Sequence, residues 1–281
     1  MTRLYTEQLH IGYGTNLIVK GLNIKIPDKQ ITTIIGSNGC GKSTLLKAIT
    51  RVIPHHSGSI ILDSESITTQ NTKKLAKKMA ILPQTPESAS GLTVGELVSY
   101  GRFPHQNGFG KLTKKDLEVI NWSLEVTGIM DFKYRSVDAL SGGQRQRVWI
   151  AMALAQETEM IFLDEPTTYL DMAHQLEVLE LLQKLNKEEN RTIVMVLHDL
   201  NQAARFADYI IALKNGEVVK AGPSDEVIQP AVLREVFQID AVIGRDPRTN
   251  KKMCLTYDLI KGEENHEKTT YSIPTAISNA Y

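Results

Sequence analysis

The 281-residue chain is poor in cysteine, carries no excess of either charge and contains no long apolar run. Its two cysteines, Cys40 and Cys254, lack zinc-ligand spacing and give no reason to expect a disulfide. Lysine plus arginine equals aspartate plus glutamate at 32 each, so the formal net charge is zero. A dedicated nucleic-acid binder carries a basic excess, so nucleic acid is not an expected partner. The longest apolar run, Val148 to Ala155, falls well short of the ~18–20 residues that cross a bilayer. Residues 1–20 also lack the uninterrupted apolar stretch of a secretion signal. Both absences make a cytoplasmic location the expectation, and no internal repeat is present.

What the chain does have is apolar residues, 42% of the total, enough for a large core. Residues 2–9 and 22–26 read as strands, the second alternating as Leu22-Asn-Ile-Lys-Ile26. Ile31 to Ile35 is a β-branched run suited to a buried strand, and Lys42 to Arg51 reads as a helix stopped before Pro54. Ser59 to Asp63 reads as a strand of an antiparallel layer. From about Thr85 to Thr158 the character becomes helical, with capping boxes at Thr93–Glu96, Thr113–Asp116 and Ser141–Gln144. Met160–Leu163 and Thr192–Leu197 resume the strands, and Asp208 to Ala221 reads as a hairpin around Asn215-Gly216. After Pro223 come a helix or two and short strands flanking Asp246–Asn250, then a polar, flexible tail over 262–281.

Four apolar strands in this pattern each end in a polar motif. Ile31–Ile35 leads into Gly36-Ser37-Asn38-Gly39-Cys40-Gly41-Lys42-Ser43-Thr44, which fits the G-x-x-x-x-G-K-[ST] phosphate loop. Gly36, Gly39 and Gly41 let the backbone approach an anion, and the amides of residues 38–44 complete the cradle. Lys42 is expected to reach the β and γ phosphates of ATP, and Ser43 to offer Mg²⁺ an oxygen. Ala80–Leu82 is followed by Pro83-Gln84, Met160–Leu163 by Asp164-Glu165, and Thr192–Leu197 by His198-Asp199. Paired carboxylates alone are as often a solvated turn. After a buried strand and a phosphate loop, Asp164 is expected to hold Mg²⁺ and Glu165 to orient or deprotonate an attacking water. His198 and Gln84, taken singly, fit structural or exposed roles equally well. Ser141 caps a helix whose first turn holds Gly142 and Gly143, each costing about 1 kcal/mol relative to alanine. That cost makes sense where the backbone amides and the helix dipole must approach an anion closely.

The phosphate loop paired with Leu140-Ser-Gly-Gly-Gln144 resembles the ATP-binding cassette (ABC) family, over nearly all of residues 1–258. The resemblance implies an α/β fold, a P-loop NTPase core with a mixed sheet, an antiparallel β layer and an inserted helical subdomain. It implies an ATPase domain over 1–222, with the insertion at 85–158, and a C-terminal extension over 223–281. It further implies an ATP-loaded homodimer, in which Ser141, Gly142, Gly143 and Gln144 of one copy cap ATP held by the other. Within this picture His198 is the switch histidine and Gln84 senses Mg²⁺ and water. Tyr13 stacks on adenine, and Asp171 links the two sites. The wording Thr93–Gln106, Arg145–Gln156 and Asp164–Glu177 is similar to ATPase subunits of ferric-siderophore importers. The expected partners are then separate membrane permease chains and an external siderophore-binding protein, with this chain peripheral on the cytoplasmic face. The helical insertion, including Arg102-Phe103-Pro104, is the expected permease-docking surface. Cobalamin or haem importers, and soluble cassette ATPases of iron–sulfur assembly or DNA maintenance, are the alternatives. Cys40, inside the anion cradle, is expected to have a lowered thiol pKa and to react in a way that MgATP prevents.

Overall fold

The computed structural model describes residues 2–84, 90–106 and 111–260. An antiparallel layer is built from β1 (Thr2–Tyr13), β2 (Asn16–Leu22), β3 (Lys25–Pro27), β5 (Ser57–Leu62) and β6 (Glu65–Ser66). The central sheet holds β4 (Ile31–Gly36), β7 (Met79–Leu82), β8 (Met160–Asp164), β9 (Thr192–Val196), β10 (Tyr209–Lys214) and β11 (Glu217–Pro223). Its order is β11-β10-β4-β9-β8-β7, parallel throughout except for β11. Asn215 and Gly216 close the β10–β11 hairpin with φ of 52° and 83°, the positive pair that such a two-residue turn requires.

Every residue of β4, β8 and β9 is buried, because both faces of the central sheet are covered. The antiparallel layer and α1 (Lys42–Ile49) pack on one face through Leu4, Leu45, Ile34 and Phe162. On the other, α5 (Gly142–Ala155), α6 (Met172–Glu189) and α7 (Leu200–Phe206) bury Ile150, Val178, Leu182 and Phe206 against Ile35 and Leu163. The parallel order sets the C-terminal ends of β4, β9, β8 and β7 side by side on one edge, so the four polar endings meet there.

Residues 22–26 form no single strand. Their burial does alternate, but β2 ends at Leu22 paired with Leu9, and β3 pairs Lys25 and Ile26 with Tyr5 and Leu4. Asn23 makes the break, donating Nδ2 to Gly21 O and accepting from Gln8 N. Two short helices, α2 (Thr72–Ala76) and α7, are absent from the patterning of the sequence.

Between β7 and β8 lie α3 (Val94–Ser99), a 3₁₀ turn over Tyr100–His105, α4 (Lys114–Val126) and α5, around a small core of Val94, Leu97, Ile120, Leu124 and Val148. All three capping boxes are formed. Arg102 is not a surface residue: it is 1% exposed and binds Asp116, Glu157 and Ala155 O, each at 2.7 Å. Its docking role is therefore withdrawn, while Phe103 beside it is 76% exposed. The described residues close with α8 (Ser224–Val227), α9 (Pro230–Phe237) and the hairpin of β12 (Ile239–Arg245) with β13 (Lys252–Leu259). The expected tail from 262 lies outside the described residues. Among the described residues no helix is long and apolar enough to cross a membrane.

Candidate functional site

The loop between β4 and α1 wraps back on itself with little room for side chains. A Cβ on Gly36 would lie 2.4 Å from Leu213 O and 2.6 Å from Cys40 Sγ. Gly41 caps α1 at φ 102°, in left-handed space that costs glycine nothing. Lys42 is buried and folds over the loop, donating Nζ to Gly36 O at 2.9 Å and to Ser37 O at 3.0 Å. Those carbonyls hold the ammonium where a phosphate oxygen can compete for it.

Ser43 Oγ donates to Asp164 Oδ1 at 2.7 Å, across from the end of β8. The other oxygen, Oδ2, is buried and has no hydrogen-bond partner among the described residues. Burial pushes the Asp164 carboxyl up, against the Ser43 bond and the charges of Lys47 and Lys42. A hydroxyl beside an unpartnered carboxylate oxygen is a hard-oxygen donor set that fits Mg²⁺, and a cation there would offset the cost of burial.

Glu165 sits at φ 55°, an uncommon conformation for its type, which turns its side chain from the strand into the cleft. There it is surrounded by partners. His198 Nε2 lies 2.5 Å from Oε1, while Gln84 Nε2 and Thr168 Oγ1 donate to Oε2 at 2.5 and 3.0 Å. Burial alone would raise this carboxyl, but His198, Thr168 and Gln84 outweigh it and hold the group below its ordinary value. It is therefore an ionised acceptor at neutral pH. A cleft of about 750 Å³ joins these groups, with Asn38, Gly39, Gly41, Lys42, Ser43, Thr44, Gln84, Glu165 and His198 in its walls. Ile18, Thr168 and Tyr169 also line it, none of them singled out from the sequence. Thr168 follows Glu165 by three residues, a spacing that could have signalled it.

The remaining candidates lie elsewhere. Tyr13 stands at the β1–β2 turn, 54% exposed and outside the cleft wall. Ser141 caps α5, its Oγ accepting from Gln144 N while Gln144 Oε1 accepts from Ser141 N. Ser141 and Gly142 are exposed, and a Cβ on Gly142 would meet nothing within 4 Å. Gly143 instead gives room to His174, whose Cδ2 would stand 2.7 Å from an added Cβ. None of these four residues lines the cleft of its own chain. Asp171 caps α6, accepting from His174 N, and is flanked by Tyr169 and Met172, which are 92% and 81% exposed. Cys40 corrects an expectation: its thiol is buried and burial raises its pKa beyond what the Lys42 charge removes, so the cradle does not activate it.

A family model described as ABC transporter matches residues 19–168. The iron(3+)-hydroxamate import ATP-binding protein FhuC of Bacillus subtilis (strain 168) is 63% identical over 264 residues, 94% of this chain and 98% of that protein. The ferric enterobactin transport ATP-binding protein FepC of Escherichia coli (strain K12) is 44% identical over 247 residues, 88% of this chain and 91% of its own length. Among solved structures, a dimeric bacterial ABC transporter cassette matches with a TM-score of 0.70 at 30% identity, covering 79% of this chain and 98% of that one. The chain belongs to the ABC transporter family, as one of its ATP-binding subunits.

Proposed function

We propose that the chain hydrolyses MgATP to energise ferric-siderophore uptake through separate permease chains, from the cytoplasmic face of the membrane. The observation that carries the hydrolytic part is the Glu165 carboxylate, ionised and held by Gln84, Thr168 and His198 in the same cleft as Lys42. The cargo assignment is supported by 63% identity to an iron(3+)-hydroxamate import protein and by 44% to a ferric enterobactin one.

In this reading the loop amides and Lys42 take the β and γ phosphates, Lys42 leaving the Gly36 and Ser37 carbonyls for phosphate oxygens. Ser43 and Asp164 Oδ2 would hold Mg²⁺, with Gln84 close by; when bound, the ion neutralises phosphate charge. Glu165 accepts a proton from the water that attacks the γ phosphorus, giving ADP and phosphate. His198 steadies Glu165 and the γ phosphate, and Tyr13 stacks on adenine. The α5 tip, open at Ser141 and Gly142 and not part of its own cleft's walls, caps ATP held by a second copy. Asp171, beside the exposed Tyr169 and Met172, belongs to the same contact. Phe103 and Pro104 line a groove of about 440 Å³ with Thr72, Lys73, Ala76 and Gln106, which supports permease docking there without Arg102.

A pull-down from membranes tests the assignment. Recovery of a permease, with iron-chelate uptake lost in Glu165→Gln cells, is expected. Recovery of a soluble scaffold with uptake intact would replace import by complex remodelling.

A further inference from the structure

Helix α7 begins two residues after His198, and residues beyond 222 grip it along its length. At its first turn the Asn201 side chain pairs with the backbone of Cys254 in both senses: Nδ2 donates to Cys254 O at 3.0 Å, and Cys254 N donates to Oδ1 at 2.8 Å. At its far end Lys251 Nζ donates to Ala207 O at 2.8 Å, where helix carbonyls favour a cation. Between them Ser224 Oγ donates to Ala204 O at 3.0 Å. Leu200 packs both into the central core and against the cluster of Leu233, Ile239, Ala241 and Cys254.

His198 stands at the join between β9, fixed in the sheet, and this bracketed helix. Its ring meets Glu165, and the turn between β9 and α7 sets the direction it takes. A cavity of about 510 Å³ has His198 and Asn201 on one side and Ile239, Cys254 and Tyr257 of the hairpin on the other. We propose that the β12–β13 hairpin positions His198 for hydrolysis, with Asn201 and Lys251 as positioning residues that act through α7. Asn201 is exposed and each clamp consists of one or two hydrogen bonds, so the turn can loosen without loss of the core. The inference rests on the role given to His198 above.

The test uses the full chain with MgATP in Asn201→Ala, Lys251→Met and the double variant, with His198→Ala as reference. Turnover, ATP affinity and hydrogen exchange over residues 197–207 are measured. Each single variant is expected to lower kcat about three- to tenfold and the double variant further, with KM and Kd within about twofold. Exchange should rise over 197–207 and stay unchanged over β4 and α1. Near-normal turnover in His198→Ala would remove the role of His198 itself. With that variant inactive, three results would each overturn the positioning role: unchanged kcat in the double variant, ATP affinity falling in step with kcat, or unchanged exchange over 197–207.

Discussion

The helical segment and the central sheet edge both bury charged side chains, yet they treat them differently. Around Arg102 the charges are paired: Nε meets Asp116, Nη1 meets Glu157 and a main-chain carbonyl, and Asp116 also caps α4 through Thr113. At the sheet edge Asp164 keeps a buried oxygen without a partner among the described residues, Glu165 occupies left-handed backbone space, and Lys42 rests on loop carbonyls. A closed charge network holds structure together, whereas an open one waits for a ligand. The same logic separates Gly142, with free space before it, from Gly143, which accommodates His174.

If that contrast holds, substitutions should divide cleanly between chemistry and stability. The largest effect is expected for Glu165→Gln, with turnover down about 10²–10⁴-fold and ATP still bound, checked by steady-state hydrolysis and nucleotide titration. Near-normal turnover would dissolve the contrast. Next comes Arg102→Ala, expected to cost about 3–5 kcal/mol of stability by leaving Asp116 buried and unpaired, with nucleotide affinity unchanged in the folded fraction. Burial would raise the Asp116 carboxyl, but Thr113 and Arg102 hold it at about 2 in the folded state. Its unfolded value is ~3.9, so the stability it contributes is present above that pH and is lost as pH falls toward 2. Denaturant melts across pH 2–5 should show this loss in the native chain and a smaller one in Arg102→Ala. Ser141→Arg should leave ATP affinity of the single chain within about twofold while preventing ATP-driven pairing; loss of that affinity would give the helix tip a role in its own cleft. The smallest effect belongs to Cys40, whose buried, raised thiol should react slowly with thiol reagents even without nucleotide.

How much of this was legible in the sequence follows from how local each signal is. The phosphate loop, the three capping boxes and the Asn215-Gly216 turn are specified by residues within a few positions of one another, and they stand out. The meeting of Gln84, Asp164-Glu165 and His198 was readable because buried parallel strands deliver their endings to one edge. The burial of Arg102 has no local signal, because its partners Asp116 and Glu157 lie 14 and 55 residues away. Asn23 interrupts a strand through bonds to Gln8 and Gly21 that leave the hydrophobic alternation intact, so patterning cannot reveal the break. The activation expected of Cys40 follows from its place in the anion cradle and leaves out burial, which is a property of the fold. The grip of residues beyond 222 on α7 likewise joins parts of the chain with no local signature.

In the proposed cycle ATP is shared between the cleft of one copy and the α5 tip of another. Sedimentation of Glu165→Gln with and without MgATP measures this directly. A dimer that appears only with nucleotide, and that Ser141→Arg abolishes, is the predicted result; a chain that stays monomeric at saturating MgATP would contradict it.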